Sequence, residues 1–153
     1  MSEQIQGYRL SPQQERLWPW AGRDPEAYWT QAVAALPGPF DAARLRDALA
    51  GVVERHEILR TSLRTLPGLA DAVQVIEAAT PPELRDAEGG IDDLLRRERK
   101  GQSLDTAPLL RCAVTGAPDG GRRLLLSAPA LCLDATSMRT VVRELLALYQ
   151  GRR

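Results

Sequence analysis

The sequence predicts an α/β layered domain, and three observations carry that prediction. Strand-like and helix-like segments alternate along the chain, in the order strand, helix, strand, helix, two strands, helix, hairpin, helix. Two segments repeat apolar residues at spacings of three and four, which puts them on one helix face. Leu124-Leu125-Leu126 is a continuous apolar run, as expected of a strand buried on both faces.

Tyr8 to Leu10 reads as a short strand. Ser11-Pro12 then starts a helix, because the hydroxyl caps and proline at the first position loses no needed N–H. That helix should run through Trp18 and stop before Pro19. Tyr28 to Leu36 is strand-like and ends at Pro37-Gly38-Pro39. Asp41 caps a second helix, whose Leu45, Ala48, Leu49, Val52 and Val53 form an apolar face that His56 continues. Residues 59–66 and 71–78 are predicted strands, residues 79–90 a polar loop, and Ile91 to Lys100 a short helix. Leu109 to Thr115 and Arg122 to Ala128 form a hairpin. The last helix, Ser137 to Tyr149, carries Met138, Val141, Val142, Leu145, Leu146 and Tyr149 on one side.

A chain of 153 residues fits one domain and can bury a core without metal or disulfide help. Its formal net charge is zero, which argues against a dedicated nucleic-acid binder. The densest basic run, Arg96-Arg97-Glu98-Arg99-Lys100, reads as a solvated helix face. Cys112 and Cys132 have neither zinc nor redox spacing and read as buried, reduced thiols. No metal or cofactor is expected. The polar start, Met1 to Gln6, is followed by no signal peptide and no membrane-length apolar run, so a cytoplasmic protein without membrane contact is expected. Met1 is read as a true N-terminus. Trp18, Trp20 and Trp29 are expected in the core or at an interface.

Three segments carry a family resemblance. Ser11-Pro12-Gln13-Gln14-Glu15-Arg16-Leu17-Trp18 is similar to a motif of the form serine-x-alanine-glutamine-x-arginine-leucine-tryptophan, with Gln13 for the alanine. Arg55-His56-Glu57-Ile58-Leu59-Arg60-Thr61-Ser62-Leu63 matches arginine-histidine-glutamate-x-leucine-arginine-threonine-x-phenylalanine except at its last residue. In that order they resemble the first two motifs of the condensation domains of non-ribosomal peptide synthetases. Phe40 to Leu49 and Ala107 to Arg111 are similar to further stretches of that family. The resemblance covers nearly the whole chain but only the first third to half of a complete member.

The third family motif is histidine-histidine-x-x-x-aspartate-glycine. Pro129-Ala130-Leu131-Cys132-Leu133-Asp134-Ala135 occupies its place. The resemblance implies that Pro129 stands at the first histidine, Ala130 at the catalytic one, and that Asp134 alone remains. The second histidine is placed in the family to deprotonate the amine or hold the tetrahedral intermediate, a task that needs a group titrating near working pH. Alanine has no such atom, and His56 is the only histidine in the chain.

The resemblance also implies a structural ion pair between Asp134 and Arg60, since a buried carboxylate needs a partner and arginine offers a bidentate fork. Asp134 also reads as a simple helix N-cap, and both roles can hold together. His56 is expected to be buried and satisfied at its helix end.

The implied fold is a single chloramphenicol-acetyltransferase-like lobe, a mixed β-sheet with helices packed mainly on one face, and residues 1–153 are taken as that N-terminal lobe alone. The implied function is a catalytically inactive, truncated condensation domain, structural in role beside an adenylation domain and belonging to antibiotic or other secondary metabolism. Two alternatives stand beside it: an interaction module binding a carrier protein or complementary half-domain, and a residual acyltransferase. An uncovered inner surface, made more apolar by Pro129 and Ala130, points to a covering neighbour or a homodimer.

Overall fold

Ser11 starts the first helix as its chemistry dictates. Its hydroxyl accepts the Gln14 N–H at 3.3 Å, while Gln14 Oε1 accepts the Ser11 N–H at 2.8 Å, a reciprocal capping box. The computed structural model describes residues 6–24, 26–69, 71–101 and 103–152. The polar start at residues 1–5 lies outside them. The elements run β1 (Gly7–Arg9), α1 (Pro12–Ala21), β2 (Trp29–Leu36), α2 (Ala42–Arg55), a 3₁₀ turn (Glu57–Arg60), β3 (Thr61–Arg64), β4 (Val73–Ile76), β5 (Leu84–Asp86), α3 (Ile91–Arg97), β6 (Arg111–Gly116), β7 (Arg122–Pro129) and α4 (Ala135–Tyr149).

Two departures from the expected elements have local causes. Helix α1 continues through Pro19 to Ala21. The proline falls in the last turn, so its missing N–H removes one hydrogen bond and breaks nothing beyond it. Leu84 to Asp86, expected as loop, forms β5, because it pairs in parallel with β6 from Leu84↔Cys112 to Asp86↔Val114.

The strands divide into two sheets. The larger is the expected mixed sheet, ordered β2-β7-β6-β5, with β5 its one parallel strand. The smaller is antiparallel, ordered β1-β4-β3. Its separation was not foreseen: β1 adds to β4 through Gly7↔Val75, joining segments far apart in sequence.

Helices α2 and α4 pack on one face of the larger sheet. Leu45, Leu49, Val52, Met138, Val141 and Leu145 meet Leu124 and Leu126 of β7 in the main core. Leu125 points the other way, against Ala113 and Leu94 of α3. Strand alternation thus places the leucine run on both faces, as predicted. Each such leucine contributes roughly 2 kcal/mol of transfer free energy. A third cluster, Leu10, Ala21, Leu63, Ala72 and Leu131, fastens α1 and the smaller sheet to the end of β7. No helix among the described residues is long and apolar enough to cross a membrane.

Candidate functional site

The three motif segments meet where the two sheets join. They surround a cleft of about 330 Å³ lined by Ser11, Gln14 and Leu17 of the first, Ile58 of the second, and Ala130, Leu131, Cys132 and Asp134 of the third. Gln74 from β4 and Ser137 from α4 complete it, with Gln13.

Gln14 is the residue that ties the first motif to the third. Its side chain is buried, and its Nε2 donates to the Leu131 carbonyl at 3.0 Å and to Gln74 Oε1 at 2.9 Å. Thr30 Oγ1 donates to the Leu133 carbonyl at 2.6 Å from the opposite side. The Ala130 N–H donates to the Tyr28 carbonyl at 2.8 Å, and the Cys132 N–H closes a turn on the Pro129 carbonyl at 2.9 Å. The loop after β7 is therefore held by hydrogen bonds to its main chain. Gln74, Thr30 and Tyr28 carried no signal in the sequence, because their partners there are backbone atoms or a lone glutamine.

Asp134 sits at the start of α4, fully exposed, with Oδ1 accepting the Ser137 N–H at 2.7 Å. That bond, reinforced by the Ser137 hydroxyl, lowers its pKa from the ordinary carboxylate value. The expected Asp134–Arg60 ion pair is absent among the described residues. Arg60 instead donates from Nη1 to the Glu77 carbonyl at 2.9 Å and lies 3.5 Å from Glu57. The reason is position: an exposed carboxylate at a helix start finds backbone N–H groups and water, while Arg60 is drawn toward the β3–β4 sheet.

The remaining second-motif residues form a polar joint behind the cleft. His56 ends α2 with extended backbone and turns its ring to α4, where Nε2 lies 2.7 Å from Glu144 Oε2. It is satisfied but half-buried rather than buried, because the chain leaves the helix at this residue. Arg55, exposed, reaches the same carboxylate at 3.7 Å. The hydrogen bond from His56 holds Glu144 below its ordinary pKa, ahead of the charge of Arg55. Thr61 is buried and donates to the Glu57 carbonyl at 2.7 Å. Arg16 is exposed.

Trp18 packs half-buried on the Leu10 and Leu63 cluster. Trp20 is exposed, with Arg23 stacked 5.5 Å from its ring, and is no core residue. Trp29 is half-buried beneath Arg111. Both cysteines are free thiols; Cys112 is buried as expected, but Cys132 is half-buried because it lines the cleft. Burial pushes Cys112 and Cys132 each up to about 12. The basic run also departs from a plain solvated face, since Glu98 within it is buried and paired with Arg85. Among the described residues no group of histidine, cysteine, aspartate and glutamate could hold a metal.

The condensation-domain family model matches residues 4–153. The chain belongs to the condensation-domain family. Bacitracin synthase 3 of Bacillus licheniformis is 32% identical over 156 residues, which is 99% of this chain and 2% of that protein. Phenyloxazoline synthase MbtB of Mycobacterium sp. is 31% identical over 94% of this chain and 13% of its own length. Among solved structures, the X-domain from teicoplanin biosynthesis superposes with a TM-score of 0.80 at 26% identity, over 99% of this chain and 35% of that one. The first condensation domain of the calcium-dependent antibiotic synthetase gives 0.76 at 25% identity, over 97% and 39%.

The chain thus spans a small fraction of these synthetases and a little over a third of the solved domains. As a condensation-domain lobe, it keeps the first two motifs in place around one cleft. At the end of β7 that cleft meets Ala130, a half-exposed methyl group, while Pro129 before it is buried.

Proposed function

We propose that this condensation-domain lobe does not condense substrates and serves as a scaffold beside a neighbouring synthetase domain, an adenylation domain in an initiation module. The observation that carries this reading is the chemistry of the cleft: among the described residues, no lining side chain is suited to take a proton near neutral pH. Ala130 stands where the family resemblance puts the base. Asp134 is engaged as a helix cap and is held ionised. The Cys132 thiol is pushed up to about 12, which leaves it a poor nucleophile. The others are glutamines, serines and apolar groups. His56 is not among the lining residues and is engaged with Glu144.

The test is to supply donor and acceptor carrier proteins with loaded substrates and look for dipeptidyl product by mass spectrometry. No turnover above the uncatalysed rate is expected. Turnover abolished by Cys132→Ala or Asp134→Ala would overturn the reading in favour of a residual acyltransferase. Ala130→His alone should restore nothing, because one lobe supplies one wall of the family's two-lobed cleft; a measurable gain would refute this.

A second reading has its own support. The X-domain from teicoplanin biosynthesis has been solved as a complex with OxyB, and this chain matches it there with a TM-score of 0.78 at 26% identity. By analogy the lobe would be an interaction module, binding a carrier protein, a complementary half-domain or a second copy of itself. Pull-down against isolated synthetase domains, with sedimentation over a concentration series, separates the two. Retention by the adenylation domain supports the scaffold. Retention only by a carrier protein or half-domain, or self-association alone, supports the second reading.

A further inference from the structure

On the sheet face that carries α3, a separate cleft of about 570 Å³ opens away from the motif residues. Four cationic side chains line it: Arg85 from β5, Arg97 from α3, Lys100 after α3, and Arg111 from β6. Strand alternation explains the convergence of two of them. Leu84 and Cys112 turn to the main core and Ala113 turns to α3, so Arg85 and Arg111 emerge on the α3 side.

Among the described residues one carboxylate, Glu83, lines the same cleft. Glu98 is buried and is bound to Arg85, so it offsets one charge. Asp93 lies 2.9 Å from Arg97 Nε but is not among the lining residues. Arg111 Nη1 donates to the carbonyls of Glu98 at 3.0 Å and Lys100 at 2.7 Å, which fixes the orientation of its guanidinium. Burial depresses the Arg111 pKa, with the charge of Glu98 opposing that shift and the charge of Arg85 adding to it. The side chains of Arg85 and Arg97 remain 41% and 53% exposed, so a solute can reach them.

We propose that this cleft binds a phosphate-class dianion. Against Glu83 and the Arg85-bound Glu98, the four cations leave a surplus of two around the cavity, which a dianion matches better than a single carboxylate, and guanidinium forks match a tetrahedral oxyanion. The cavity is also larger than a bare phosphate, which leaves space for the organic part of a phosphate ester. The inference stands apart from whether the lobe condenses, since it shares no residue with the motif cleft.

The probes are inorganic phosphate and pyrophosphate, titrated into the chain at low ionic strength by calorimetry and amide chemical shifts, with acetate as the control. Saturable binding is expected, tighter for pyrophosphate than for phosphate and weakest for acetate. Shifts should centre on residues 83–85, 97–101 and 110–111. Arg97→Gln and Lys100→Gln should each weaken binding about tenfold, the scale of one charge-assisted hydrogen bond. Both positions are exposed, and thermal unfolding checks that the variants remain folded. Arg139→Gln, on the exposed side of α4, should change nothing. Absence of saturation, acetate affinity equal to that of phosphate, or binding untouched by the combined Arg97→Gln and Lys100→Gln variant would overturn the proposal.

Discussion

Removing the Gln14 side chain should loosen the loop after β7 from a distance. Gln14→Ala deletes three hydrogen bonds: the acceptor for the Ser11 N–H at 2.8 Å, the donor to the Leu131 carbonyl at 3.0 Å, and the contact with Gln74 at 2.9 Å. At about 1 kcal/mol net for each, with a buried carbonyl left unpaired, the expected loss is about 3 kcal/mol. Gln14→Glu separates the parts. A carboxylate keeps the acceptor for Ser11 and suits the first turn of a helix by about 0.5 kcal/mol. It also sets an acceptor against the Leu131 carbonyl, so a loss of about 2 kcal/mol should persist. Urea denaturation with an unchanged m-value measures both, and hydrogen exchange at Cys132 and Leu133 should accelerate in both variants. Losses below about 0.5 kcal/mol in the two variants together would refute the idea that Gln14 secures the loop.

Further outcomes are expected. Arg60→Ala and Asp134→Ala should act additively in a double-mutant cycle, since the residues share no contact, and measurable coupling would revive the ion pair. Glu144 has a depressed folded-state pKa, so its contribution is present above the ordinary value of 4.5 and is lost as pH falls through the folded value. Glu144→Gln should therefore flatten acid unfolding below pH 4.5 while leaving its midpoint insensitive to His56→Gln; a wild-type acid profile in the variant would contradict the assignment. Cys112 should resist a thiol reagent at pH 8 in the native protein and react at once after denaturation, whereas fast native labelling would show that burial does not protect it.

The legible parts of the fold were those set by period. The faces of α2 and α4 and the two-sided burial of Leu124 to Leu126 follow from apolar spacing alone, because each is a local pattern. β5 was not legible: Leu84-Arg85-Asp86 has little strand character and is extended only because β6 offers it a partner. The smaller sheet was hidden for the same reason, since β1 and β4 meet across most of the first half of the chain. Motif matching located the cleft segments but not their bonds. It marked Gln14 without its reach to Leu131, and it paired Asp134 with Arg60 where a nearby backbone N–H was the stronger claimant. Glu98 looked solvated inside a basic run, and only the placement of Arg85 on β5 explains its burial.

The bond between the Ala130 N–H and the Tyr28 carbonyl extends the β2–β7 ladder to the cleft without using any side-chain atom. Selection for a stable fold would thus be nearly blind to what residue 130 carries. A substitution there could spread through a lineage with no penalty in folding, and its reversal would meet none either. The position is a place where chemistry can be gained or discarded while the architecture around it stays in service.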